Sequence, residues 1–145
     1  MKKSAFVANM IVWGALSAAC VAFLVWANAA GGVPDDNVVL LALNLFTRPI
    51  AAFSLAALVC GLIVRKVKLA LGRRARIVWR VIGIVPTVIF FLSPFAIPLL
   101  PDEIATMFAI VLLLAMTAPV VFVLFGAFYG LSLCDVKEPA PEDEE

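Results

Sequence analysis

Four apolar runs, roughly 5–30, 38–64, 81–100 and 104–133, are separated by short clusters of charge. A helix needs about 20 apolar residues to cross a hydrocarbon core of roughly 30 Å, and each run supplies them. Backbone N–H and C=O groups find no partner in lipid, so a spanning segment is a helix or part of a closed barrel. The runs lack the two-residue alternation of barrel strands. They predict an all-α integral membrane protein. Residues 1–134 form a four-helix transmembrane bundle, with spans at about 5–30, 38–64, 78–100 and 104–133. Residues 135–145 form an acidic tail, expected to be disordered. Composition agrees. Apolar residue types make up 65 % of the chain and charged types 14 %, where a soluble domain carries about 25 % charged.

The first run has some marks of a secretion signal, with "MKK" at its start and "ANAA" at 27–30. Its apolar stretch is too long for a signal core of about 7–15 residues. It is expected to stay in the membrane.

Lys and Arg accumulate on the cytoplasmic side of membrane proteins. Residues 65–80 carry seven basic residues and no acid: Arg65, Lys66, Lys68, Arg73, Arg74, Arg76 and Arg80. The other two connections, "AAGGVPDDN" and "PDE", carry acids and no base. This pattern predicts both termini and the basic connection inside and the two short turns outside; the general look of the chain suggests a cell membrane of bacterial inner-membrane type. The seven basic residues are then candidates for contact with anionic lipid. The tail holds six acids and Lys137, so a flexible tail is able to fold back on the basic connection and compete with that lipid. In the outer turns, Asp35 or Asp36, and Asp102, stand just before a span, where a carboxylate can cap helix N–H groups.

Arg48 is the one charge inside a run. It lies 17 residues before Arg65, about 25 Å along a helix, which places it near the outer face. From there its stem can reach the headgroups. Anchoring is the simpler role. A functional site, with Asn28 as a polar neighbour, is the alternative, because an ionisable group within a membrane suggests function. Pro49 beside it predicts a kink in one long helix over 37–64.

Small residues mark the faces where helices can approach closely. Gly14, Ala18 and Ala22 are four apart in the first run, as are Ala57 and Gly61 in the second and Gly126 and Gly130 in the fourth. Such faces pack helices together in lipid, either within the bundle or against another membrane protein or a second copy. Pro86, Pro94 and Pro98 in the third run and Pro119 in the fourth predict bends. Thr87, Ser93 and Thr117 can satisfy carbonyls that proline frees. Such bends can open a cavity between the third and fourth spans, with nothing charged to line it.

Histidine is absent and no acid lies inside a run. Cys20, Cys60 and Cys134 stand apart and read as small apolar filler. No nucleophile–base pair, metal-ligand cluster or phosphate loop is present. The chain is therefore not expected to be an enzyme, nor to need a metal or cofactor. Its expected partners are the lipid bilayer and another membrane protein or itself, with no nucleic acid. The functional expectation is a non-enzymatic accessory or immunity-type membrane protein acting by helix–helix contact. The alternative is a small transporter or channel using Arg48 and the proline-bent helices.

Overall fold

The computed structural model describes residues 3–29, 31 and 37–136. The described residues are 87 % helical. In chain order they form α1 (Lys3–Ala29), α2 (Val38–Lys66), β1 (Ala70–Leu71), α3 (Arg73–Ala96) with a 3-10 turn (Ile97–Leu99), α4 (Asp102–Thr117), α5 (Val120–Leu131) and β2 (Asp135–Val136). Three helices are long and apolar enough to cross a membrane, or four spans if the bent α4–α5 pair counts as one.

α5 lies at the centre. It packs on α2 and α3, and α1 packs on α2. Phe53, Ala57, Phe122, Tyr129, Leu133 and Phe6 form the buried core. Ring pairs tie it together: Trp13 lies 5.2 Å from Phe53 and 5.3 Å from Tyr129, and Phe90 lies 4.7 Å from Phe122. In a bilayer, lipid is as apolar as these side chains, so the hydrophobic effect would do little between the helices. Close packing and interhelical polar bonds hold the helices instead.

α2 runs unbroken through Pro49, which is buried inside it. Its first turn is capped by Asn37, whose Oδ1 accepts from the Leu40 N–H at 3.1 Å. The proposed caps Asp35 and Asp36 lie outside the described residues. Asp102 does not cap α4. Pro101 occupies the cap position without a side-chain bond, while Asp102 and Glu103 form the first turn, facing the positive end of the helix.

The fourth apolar run is not one straight span. α4 and α5 meet at 68°. A residue before proline is driven out of the helical region by the ring, and Ala118, with φ −114° and ψ 78°, breaks the helix just before Pro119. The basic connection is also shorter than its charge suggested. α3 begins at Arg73, so Arg73, Arg74, Arg76 and Arg80 are helical and only residues 67–72 connect α2 to α3. Arginine is a good helix former. At the end of α2, Leu69 N–H bonds Val64 O and Lys68 N–H bonds Arg65 O. That pair of bonds is a Schellman closure, and it puts Lys68 in the left-handed region at φ 54°.

The tail starts in an ordered way. β2 pairs in parallel with β1, Ala70 opposite Asp135 and Leu71 opposite Val136. Residues 137–145 lie outside the described residues. The pairing brings the end of α5 to the α2–α3 connection. The start of α1 is there too, since the Arg65 guanidinium sits 4.4 Å over the Phe6 ring.

Candidate functional site

The small residues divide into two groups. Ala57, Gly61, Gly126 and Gly130 form the seam between α2 and α5. A Cβ on Gly126 would collide with the Phe53 carbonyl oxygen and lie 2.9 Å from its carbon. One on Gly130 would lie 2.7 Å from Cys60 Cβ and 2.9 Å from Ala57 O. The two backbones thus touch, as only side-chain-free positions permit. Gly83 does the same for α3, where a Cβ would stand 2.8 Å from both Phe125 O and Tyr129 N.

The other group faces outward. α1 turns Phe6, Ser17, Cys20 and Ala27 inward, at spacings that trace one stripe. Ala18 and Ala22 are exposed, and a Cβ on Gly14 would meet nothing within 4 Å. The bundle leaves this face of α1 unpacked.

Two interhelical polar bonds escaped the sequence reading. Ser17 Oγ donates to Ser54 Oγ at 2.9 Å, both residues buried, joining α1 to α2. Tyr129 Oη donates to Asn9 Oδ1 at 2.6 Å, joining α5 to α1. The available signal was the presence of lone polar side chains in apolar helices, which need partners there. Of the hydroxyls beside prolines, Ser93 alone bonds the carbonyl that its proline frees, whereas Thr87 and Thr117 bond Gly83 O and the Leu113 and Leu114 carbonyls, not those of Ile82 and Ala115. Ser93 Oγ donates to Phe90 O at 2.6 Å, the carbonyl that Pro94 leaves without its usual N–H. Thr87 Oγ1 donates to Gly83 O at 2.8 Å.

Arg48 is exposed. It lines an open groove of about 400 Å³ with Val38, Asn44, Leu45 and Leu113, and Asn28 is not part of that groove. Asn28 is exposed at the end of α1, where its carbonyl accepts from Gly31 N–H at 3.2 Å. A separate cavity of about 470 Å³ opens between α3 and the α4–α5 bend. Pro86, Phe90, Ser93, Phe108, Leu112 and Phe122 are among its walls, and no charged side chain lines it.

The basic residues share one end of the molecule. Arg65, Lys66, Lys68, Arg73 and Arg74 are exposed, while Arg76 and Arg80 are half-buried. Arg65 and Lys68, with Phe6, Leu133, Cys134 and Asp135, border a cavity of about 310 Å³. Cys20 and Cys134 are buried, Cys60 is half-buried, and all three thiols are free. Among the described residues no three His, Cys, Asp or Glu side chains gather as metal ligands.

Compared with protein-family models, curated proteins and solved structures, the chain matches none of them.

Proposed function

We propose that this chain is a non-enzymatic membrane protein with four crossings, both termini and the basic connection on the cytoplasmic side, acting by helix–helix contact with a membrane partner. The partner is another membrane protein, which the chain serves as an accessory or immunity-type subunit, or a second copy. A bacterial inner membrane is the proposed setting, and the contrast between acidic and basic connections supports the orientation.

One observation carries the partner reading. The seam residues Ala57, Gly61, Gly126 and Gly130 are used within the bundle, whereas Gly14, Ala18 and Ala22 are left facing outward. A lipid-facing surface has no need of small residues. A helix-facing one does, because they let a second backbone come close. The threading is supported by the gathering of the start of α1, the α2–α3 connection and the end of α5 at one basic end.

The test is a photo-crosslinking residue placed at position 18 or, as a control, at position 12, where Val12 is exposed on a different face. In native membranes, position 18 is expected to capture a defined membrane protein or a second copy, and Ala18→Leu is expected to abolish its co-purification. Equal capture from both positions, or co-purification indifferent to Ala18→Leu, refutes the reading. The alternative, a small transporter or channel, draws on the 470 Å³ cavity beside the bend. Substrate flux through proteoliposomes holding this chain alone would favour it.

A further inference from the structure

α3 and its 3-10 turn run from Arg73 to Leu99, 27 residues, or about 40 Å at 1.5 Å per residue. The hydrocarbon core is about 30 Å thick. The outer end is fixed by the short turn into α4, with Asp102 and Glu103 just beyond it. About two turns are left over at the other end, and these turns hold Arg73, Arg74, Arg76 and Arg80. They therefore lie at the depth of lipid headgroups. Trp79 sits among them and packs on Phe128 of α5, ring centroids 5.1 Å apart. That contact fixes the rotation of α3 and suits the aromatic belt of an interface.

The four arginines are not equivalent. Arg73 and Arg74 are exposed. Arg76 and Arg80 are one turn apart on one face, half-buried, and each has a buried donor without a partner: Nη1 of Arg76 and Nε of Arg80. Two like charges at this spacing repel, and a buried charged donor without an acceptor is destabilising. Among the described residues Asp135 is the one carboxylate at this end of the molecule, and neither of these two nitrogens bonds to it. An anion with several oxygens between the two guanidinium groups offsets their repulsion and can draw the unpartnered donors toward it, since guanidinium groups match phosphate oxygens in pairs.

We propose that Arg76 and Arg80 together hold a phosphate group. Two sources have this chemistry, the phosphodiester of an anionic lipid and free phosphate, and the depth of the pair favours the lipid. The site depends on the membrane-spanning reading of α3 and is independent of any protein partner.

The test uses the full chain in nanodiscs of phosphatidylcholine containing a minor fraction of phosphatidylglycerol. Native mass spectrometry then counts phosphatidylglycerol molecules retained on release into detergent. Arg76→Gln with Arg80→Gln is expected to lower retention at least about tenfold, from the loss of charged hydrogen bonds. Arg73→Gln with Arg74→Gln removes the same charge and is expected to lower it by less than about threefold, as exposed contacts are weak. Equal losses from the two pairs overturn the site, since they reduce it to net charge. If the first pair fails to fold, Arg76→Lys with Arg80→Lys keeps the charge and removes the fork. A several-fold loss with unchanged thermal unfolding supports the site, and unchanged retention overturns it. Competition with inorganic phosphate assigns the source. Displacement of the lipid by millimolar phosphate marks a site open to the free ion, and persistence of the lipid marks a headgroup site. Both results require a phosphate site dependent on this pair.

Discussion

Replacing Gly126 by alanine adds one methyl group at the tightest point of the bundle. The new Cβ would overlap the Phe53 carbonyl and stand 3.0 Å from Ala56 Cβ. Carbon atoms rest at about 3.5–4.0 Å, so α2 and α5 must part by about 1 Å, and a gap of that size forfeits a quarter to a half of each dispersion contact. The loss extends one turn along the seam to Gly130, whose missing Cβ would lie 2.7 Å from Cys60. Overpacking of this kind costs about 1–3 kcal/mol. Better helix propensity returns at most about 1 kcal/mol. The expected net loss is about 1–2 kcal/mol, roughly a 5- to 30-fold fall in the folded ratio. Gly14→Ala is the matched control, because its Cβ meets nothing within 4 Å and only propensity acts. The assay is unfolding of the purified chain by dodecyl sulfate added to dodecyl maltoside micelles. Near-ultraviolet circular dichroism follows the packed rings of Trp13, Phe53 and Tyr129. Gly126→Ala should shift the midpoint down and Gly14→Ala should leave it unchanged or raise it. Equal midpoints for the two variants would refute the close-seam reasoning.

Three further outcomes are expected in the same unfolding assay. A double-mutant cycle of Ser17→Ala and Ser54→Ala should give a coupling of about 0.6 kcal/mol, the usual worth of an interhelical bond in lipid. Tyr129→Phe should destabilise by about 1 kcal/mol, because it leaves Asn9 Oδ1 without its donor. Lys68→Gly should stabilise by about 1 kcal/mol, since Lys68 holds a left-handed conformation at φ 54° that glycine adopts without strain.

Hydrocarbon thickness made much of the fold legible. α1 and α2, at Lys3–Ala29 and Val38–Lys66, lie within two residues of the runs 5–30 and 38–64. The start of α3 was hidden because Arg73, Arg74 and Arg76 read as a polar connection, yet a helix continues readily through arginines once it has left the hydrocarbon. The angle at Pro119 was hidden for another reason. Proline announces a bend, but the size of the bend depends on Ala118 leaving the helical region and on what α5 packs against. Spacing showed which small residues share a face and could not show what the face meets. Gly61 and Gly130 meet each other across a seam, while Ala18 and Ala22, similarly spaced, are exposed. Polar pairing was equally remote, with Asn9 and Tyr129 being 120 positions apart. The unpartnered nitrogens of Arg76 and Arg80 needed coordinates, because their basic neighbours look the same in sequence.

The bend between α4 and α5 bears most directly on the threading. A hairpin dipping into the bilayer would return α5 to the end where α4 begins. α4 follows Leu99, about 40 Å along α3 from Arg73, whereas β2, four residues beyond α5, pairs with β1 next to Arg73. The pair therefore runs the length of the molecule. Straight, α4 and α5 measure about 24 and 18 Å at 1.5 Å per residue. Bent by 68°, they still reach about 35 Å end to end, more than a hydrocarbon core of about 30 Å. Their combined length would let the pair cross a bilayer, as the proposed threading requires, despite the break. The break also keeps α4 off α2 and α3 along most of its length, so Met116 and Leu112 alone are buried on it, and the 470 Å³ cavity opens in the angle. Under the proposed threading, a fourth crossing through a bent pair fits the β1–β2 pairing and the length of the run, whereas a re-entrant hairpin would carry β2 away from β1.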